Sequence, residues 1–98
     1  MVQVELPQHL RTLARIKGEV RVNVENEVTP RTILDALEAE YPMLGGTIRE
    51  HGTGKRRAYM RFFAAGEDYS LLGMDVVLPE SVARGGEPLL VVGAVSGG

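Results

Sequence analysis

The sequence ends Val95-Ser96-Gly97-Gly98, and the group there with the clearest chemical use is the carboxylate of Gly98. Two residues without Cβ atoms can pass through a channel too narrow for any side chain and present that carboxylate inside another protein's active site. A carboxylate is a poor electrophile, because its charge is delocalised and its leaving group would be oxide. It becomes an acyl donor only after activation. The plain alternative is an ordinary flexible end. At an average glycine usage of about 7%, roughly one chain in 200 ends in Gly-Gly by chance, so the dipeptide alone does not decide between the two.

The remaining chemistry-bearing residues form no catalytic set. The chain has no cysteine, which removes thiolate nucleophiles, disulfides and thiolate-ligated metals. His9 and His51 lack a third ligand at metal spacing and read as surface residues, so no metal site is expected. Glu25, Glu27, Glu38 and Glu40 read as the solvated faces of a strand end and a helix, with no carboxylate pair beside a nucleophile. Gly52-Thr53-Gly54-Lys55 has a phosphate-loop look but fails the test, since Arg49 stands where the first glycine belongs and Arg56 where the hydroxyl residue belongs. The protein is not expected to be an enzyme by itself, nor to hold a bound cofactor.

Net charge is −2, from 11 basic and 13 acidic residues, which gives no reason to expect a nucleic acid partner. The start, Met1-Val2-Gln3-Val4-Glu5, lacks the basic and apolar regions of a signal peptide, and no segment approaches membrane-spanning length. A cytoplasmic protein without a membrane partner is the expectation. Its 98 residues suffice for one core.

The elements that must position the end follow from periodicity. Val2, Val4 and Leu6 alternate with polar residues, as do Val20, Val22 and Val24, predicting two half-buried strands that pair antiparallel. Leu10, Leu13 and Ile16 between them suggest a turn of helix or a packed loop. Thr29-Pro30 opens the clearest helix, with threonine as N-cap and proline at the first position. Its apolar stripe is Leu34, Leu37, Tyr41 and Leu44 with Ile33 beside it, while Asp35, Glu38 and Glu40 face away. Residues 45–56 read as a loop with one short helical turn around Ile48.

From Arg57 to Ala65 the chain alternates again. Ala58, Met60, Phe62 and Ala64 should face the helix, leaving Arg57, Tyr59, Arg61 and Phe63 on the other side. Gly66-Glu67-Asp68 reads as a turn and Met74 to Leu78 as a minor strand. Leu89 to Val92 is an apolar run of the kind found at the centre of a sheet.

With those elements placed, the last thirteen residues resemble the MoaD/ThiS sulfur-carrier family. The shared pattern is a glycine-acidic turn at Gly86-Glu87, a hydrophobic strand from Leu89 to Val92, and the ending Val95-Ser96-Gly97-Gly98. Pro88 replaces the family's usual acidic or polar residue, and Gly93-Ala94 replaces its prolines, which affects the exit angle of the arm. The fold this implies is α+β, a ubiquitin-like β-grasp with a mixed sheet of four to five strands and one main helix packed across it. Residues 1–95 would form the domain and 96–98 a flexible Ser-Gly-Gly arm.

The resemblance also implies a function. An E1-like adenylating enzyme would use ATP and Mg²⁺ to convert the Gly98 carboxylate into an acyl-adenylate. A persulfide sulfur donor would then displace AMP to leave a thiocarboxylate. A sulfur-accepting synthase subunit would take the sulfur into molybdopterin, thiamine or cysteine. Gly98 would be the carrier group, with Gly97, Ser96 and Val95 gripped by partners. In that family the open sheet face contacts the activating enzyme, and aromatic residues and arginine are favoured at interfaces, so Phe63, Arg61 and Tyr59 are the candidate docking residues. Two alternatives remain open: a protein modifier joining Gly98 to lysines, and a β-grasp interaction module whose diglycine is incidental.

Overall fold

The computed structural model describes residues 1–93, so Ala94, Val95 and the Ser96–Gly98 arm lie outside the described residues. Strands β1 (Val2–Glu5) and β2 (Val20–Val22) pair antiparallel, Val2 opposite Val22 and Val4 opposite Val20, and all four valines are buried. The segment between them contains a short helix, α1 (Gln8–Leu13), which buries Leu10 and leaves Leu13 half exposed.

Helix α2 (Pro30–Glu40) starts where its signals place it. Thr29 Oγ1 accepts from the Thr32 amide at 3.1 Å and Thr32 Oγ1 accepts from the Thr29 amide at 2.9 Å, a reciprocal cap that satisfies two otherwise orphaned donors. Ile33, Leu34 and Leu37 are buried, and a 3₁₀ turn (Pro42–Leu44) carries Leu44 into the same core.

The loop after α2 departs from expectation. Ile48 is buried without a helical turn around it. The two arms of the loop pair instead, through an antiparallel bridge between Arg49 and Arg56. Glu38, expected in solvent, accepts both Nε and Nη2 of Arg49 at 3.0 Å, and Arg49 Nη2 also reaches Asp35 at 2.8 Å. These hydrogen bonds, Glu38's first, raise the Arg49 pKa above its ordinary value, and they tie the loop to α2.

The sheet is completed by β3 (Met60–Ala64), β4 (Glu67–Asp68) and β5 (Leu89–Gly93), in the order β2-β1-β5-β3-β4. β5 is the central strand, parallel to β1 and antiparallel to β3. The edge strand is Glu67–Asp68 rather than Met74 to Leu78. Ala65 and Gly66 both adopt positive φ (49° and 79°), as in a two-residue hairpin turn, and so fold β4 back onto β3. Met74 to Leu78 forms no strand, because its backbone is engaged at the start of α2: Arg31 N donates to Met74 O and Leu78 N to Val28 O. A short helix, α3 (Glu80–Ala83), buries Val82 and leads back to β5.

β3 also begins later than its alternation suggests. Ala58 is exposed in a turn, where Met60 N donates to Arg57 O. The cause is Arg56, whose guanidinium donates to the carbonyls of Met60 (2.7 Å), Ser70 (2.8 Å) and Arg57 (3.0 Å). Arg56→Ala should cost about 2 to 4 kcal/mol, since a hydrogen bond to a charged donor is worth about 1.5 to 3 kcal/mol and the carbonyls are left unpaired. Arg56→Lys should recover less than half of that, because an ammonium cannot reproduce the fork. Urea denaturation of both variants checks this. A lysine variant as stable as the parent would refute the fork argument.

Candidate functional site

The site is built on β5, the strand that leads towards Gly98. Its residues alternate across the sheet, Leu89 and Val91 buried beneath α2, Leu90 partly buried and Val92 44% exposed on the opposite face. Cross-strand partners share a face. The register therefore assembles Phe63 with Leu90 and Arg61 with Val92, while Glu5 pairs with Leu90 from β1 and Asp68 with Phe63 from β4. The result is an apolar row, Phe63-Leu90-Val92, between charged flanks. Arg61 and Asp68 approach to 4.0 Å across one flank. The Asp68 carboxyl titrates below its ordinary range, first because Ser70 hydrogen-bonds it, with Ser70 N at 2.8 Å, and secondarily because Arg61 and Arg56 are near.

Of the three expected docking residues, the structure brings Phe63 and Arg61 together on this open face, with Phe63 half-buried there. Tyr59 is elsewhere. It precedes β3, is 48% exposed, and lines a cleft with α1, because the alternation of the strand does not extend back through the Arg57–Met60 turn. Leu90 and Val92 are members of the face that sequence reasoning missed. A run of four apolar residues reads as buried on both sides, and the clue was that no second helix in the pattern could cover the far side.

Gly93 is the last described residue, opposite Met60. It faces the helix side, and a Cβ there would come within 3.2 Å of the His9 ring and 3.6 Å of Met60 Sδ. Gly98, Gly97, Ser96 and Val95 lie outside the described residues. His51 covers Gly46, whose φ of +83° and whose Cβ position, 2.6 Å from the His51 ring, both demand glycine. Among the described residues no group of three potential ligands is placed to hold a metal ion, and no helix is long and apolar enough to cross a membrane.

Neither a family profile nor any curated protein matches the sequence. Solved structures do. The chain superposes on SAMP1 from Haloferax volcanii with a TM-score of 0.74 at 24% identity, over 98% of this chain and 97% of that one. It superposes on a chain of the Amycolatopsis orientalis BexX/CysO complex with a TM-score of 0.76 at 21% identity, over the full length of both. The fold is the ubiquitin-like β-grasp. In β-grasp terms α2 is the helix held by the sheet, and β5 is the strand that ends at the sheet's rim beside α1.

Proposed function

We propose that this β-grasp protein is a sulfur carrier, activated at the Gly98 carboxylate by a separate adenylating enzyme and converted there to a thiocarboxylate. The observation that carries the reading is the position of β5. It is the middle strand of five, hydrogen-bonded on both sides by β1 and β3, so the sequence beyond Gly93 continues from a strand anchored within the sheet. Five residues follow Gly93 in the sequence and span at most about 17 Å when extended. A rigid body with a short terminal segment suits delivery of a carboxyl group into a partner. Further support comes from the neighbours: the same fold occurs in CysO, whose structure is that of a complex with a second protein, BexX.

In the proposed chemistry the Gly98 carboxylate oxygen attacks the α-phosphate of Mg²⁺-bound ATP, releasing pyrophosphate and leaving an acyl-adenylate. A persulfide donor then displaces AMP, and a thiol cleaves the resulting acyl disulfide to leave the thiocarboxylate. Its sulfur is a good nucleophile, and a synthase subunit that accepts it would receive sulfur without free sulfide being exposed. In this scheme the acids, bases and metal ions of these steps are those of the partner enzymes. Phe63, Leu90, Val92 and Arg61 would form the docking face for the adenylating enzyme.

The deciding experiment is the intact mass of the protein purified from its native cell. Replacement of one terminal oxygen by sulfur is expected. Isopeptide conjugates to lysine, recovered without any thiocarboxylate form, would assign the protein as a modifier instead. Absence of both, together with no pyrophosphate exchange by an adenylating enzyme, would leave an interaction module.

A further inference from the structure

On the helix side of the sheet, where β5 ends, an open cleft of about 460 Å³ is lined by His9, Leu10 and Leu13 of α1, by Thr47 and Arg57 of the loop, and by Tyr59. Its rim carries two large side chains half in water, Leu13 at 50% and Tyr59 at 48% exposure. No carboxylate lines it, although the protein as a whole is acidic. Arg57 Nε donates to Gly46 O, and among the described residues no carboxylate lies within ion-pair distance of its guanidinium. The cleft adjoins Gly93, since His9 and Met60, the atoms nearest a Cβ at that position, also line it.

We infer that this cleft seats the rim of the adenylating enzyme's channel, taking an apolar side chain against Leu13 and Tyr59 with a carboxylate beside Arg57 and His9. The inference rests on the sulfur-carrier reading. Its physical basis is reach: with at most about 17 Å of chain beyond Gly93, an enzyme that closes water out around the Gly98 carboxyl must also touch the surface surrounding Gly93. That surface has two sides. One is the open face with Val92 and Arg61, and the other is this cleft, so the enzyme grips the end of β5 from both. Charge complementarity sets the chemistry of the occupant, because a cleft holding a guanidinium and an imidazole but no carboxylate favours an acidic neighbour. Tyr59 thus contributes to docking from the side of the sheet opposite Phe63.

The test is pyrophosphate exchange by the adenylating enzyme, measured against the concentration of this protein. Leu13→Glu and Tyr59→Ala should each raise KM at least tenfold with kcat within twofold of the parent. Circular dichroism melts close to the parent's are expected for both, since both side chains are half in water. Leu71→Glu is the control, 81% exposed and lining a different cleft, and should leave KM unchanged. An unchanged KM for Leu13→Glu and Tyr59→Ala, with the parent active, overturns the inference and leaves the carrier reading standing. Failure of the parent itself to support exchange removes the carrier reading and the inference together.

Discussion

A chain cut after Ser96 is expected to support no pyrophosphate exchange at all while melting at the temperature of the intact protein. The two effects separate because they live on different parts of the molecule. Among the described residues the hydrophobic core runs from Val2 to Val91, and Gly97 and Gly98 have no side chains with which to bury apolar area. In the proposed chemistry the reactive group, by contrast, is the carboxylate of Gly98. Cutting after Ser96 shortens the reach by two residues, about 7 Å, and puts the carboxylate on a residue with a Cβ. One alanine added after Gly98 should be as damaging, for it displaces the carboxylate and again supplies a Cβ. Differential scanning calorimetry and exchange assays on the same preparations check both variants. A large fall in melting temperature on truncation, or full activity of the extended chain, would sink the threading argument.

The adjacent phenylalanines of β3 should respond in opposite ways. Phe62 is buried beneath the helix side, opposite Val91, so Phe62→Ala opens a cavity in close-packed surroundings and is expected to cost about 3 to 5 kcal/mol of stability. Phe63 lies across from Leu90 on the open face. Because it is half-buried there, Phe63→Ala gives up a cross-strand contact worth up to about 1 kcal/mol. Its larger effect should be on the adenylating partner, where loss of an interface anchor of about 2 kcal/mol weakens binding roughly thirtyfold. Denaturant titration and calorimetric binding of both variants give the comparison. The reverse outcome, with Phe63→Ala unfolding the protein and Phe62→Ala only loosening the partner, would contradict the register and require the docking face to be abandoned.

Sequence pattern alone determined the elements whose signals are local. Thr29-Pro30 announces α2 because capping chemistry involves residues within one turn of each other. The alternation of Val2 and Val4, of Val20 and Val22, and of Met60, Phe62 and Ala64 announces their strands and inner faces because side chains of a strand alternate with period two. The arm is an expectation that the resemblance of Gly86-Glu87, Leu89 to Val92 and Val95-Ser96-Gly97-Gly98 to the sulfur carriers implies, and it lies outside the described residues.

What tertiary structure decided depends on partners distant in the chain. Whether Met74 to Leu78 or Glu67–Asp68 forms the edge strand turns on which backbone groups α2 and the Ala65-Gly66 turn have already claimed. Glu38 leaves solvent because Arg49 reaches it from another element. Tyr59 departs from the face of Phe63 because Arg56 gathers four carbonyls, of Arg57, Ala58, Met60 and Ser70, and the strand begins only at Met60. Leu90 and Val92, indistinguishable in sequence from their buried neighbours, come to lie on an open face because the helix covers only one side of the sheet, and no periodicity along a single strand records what stands above or below it.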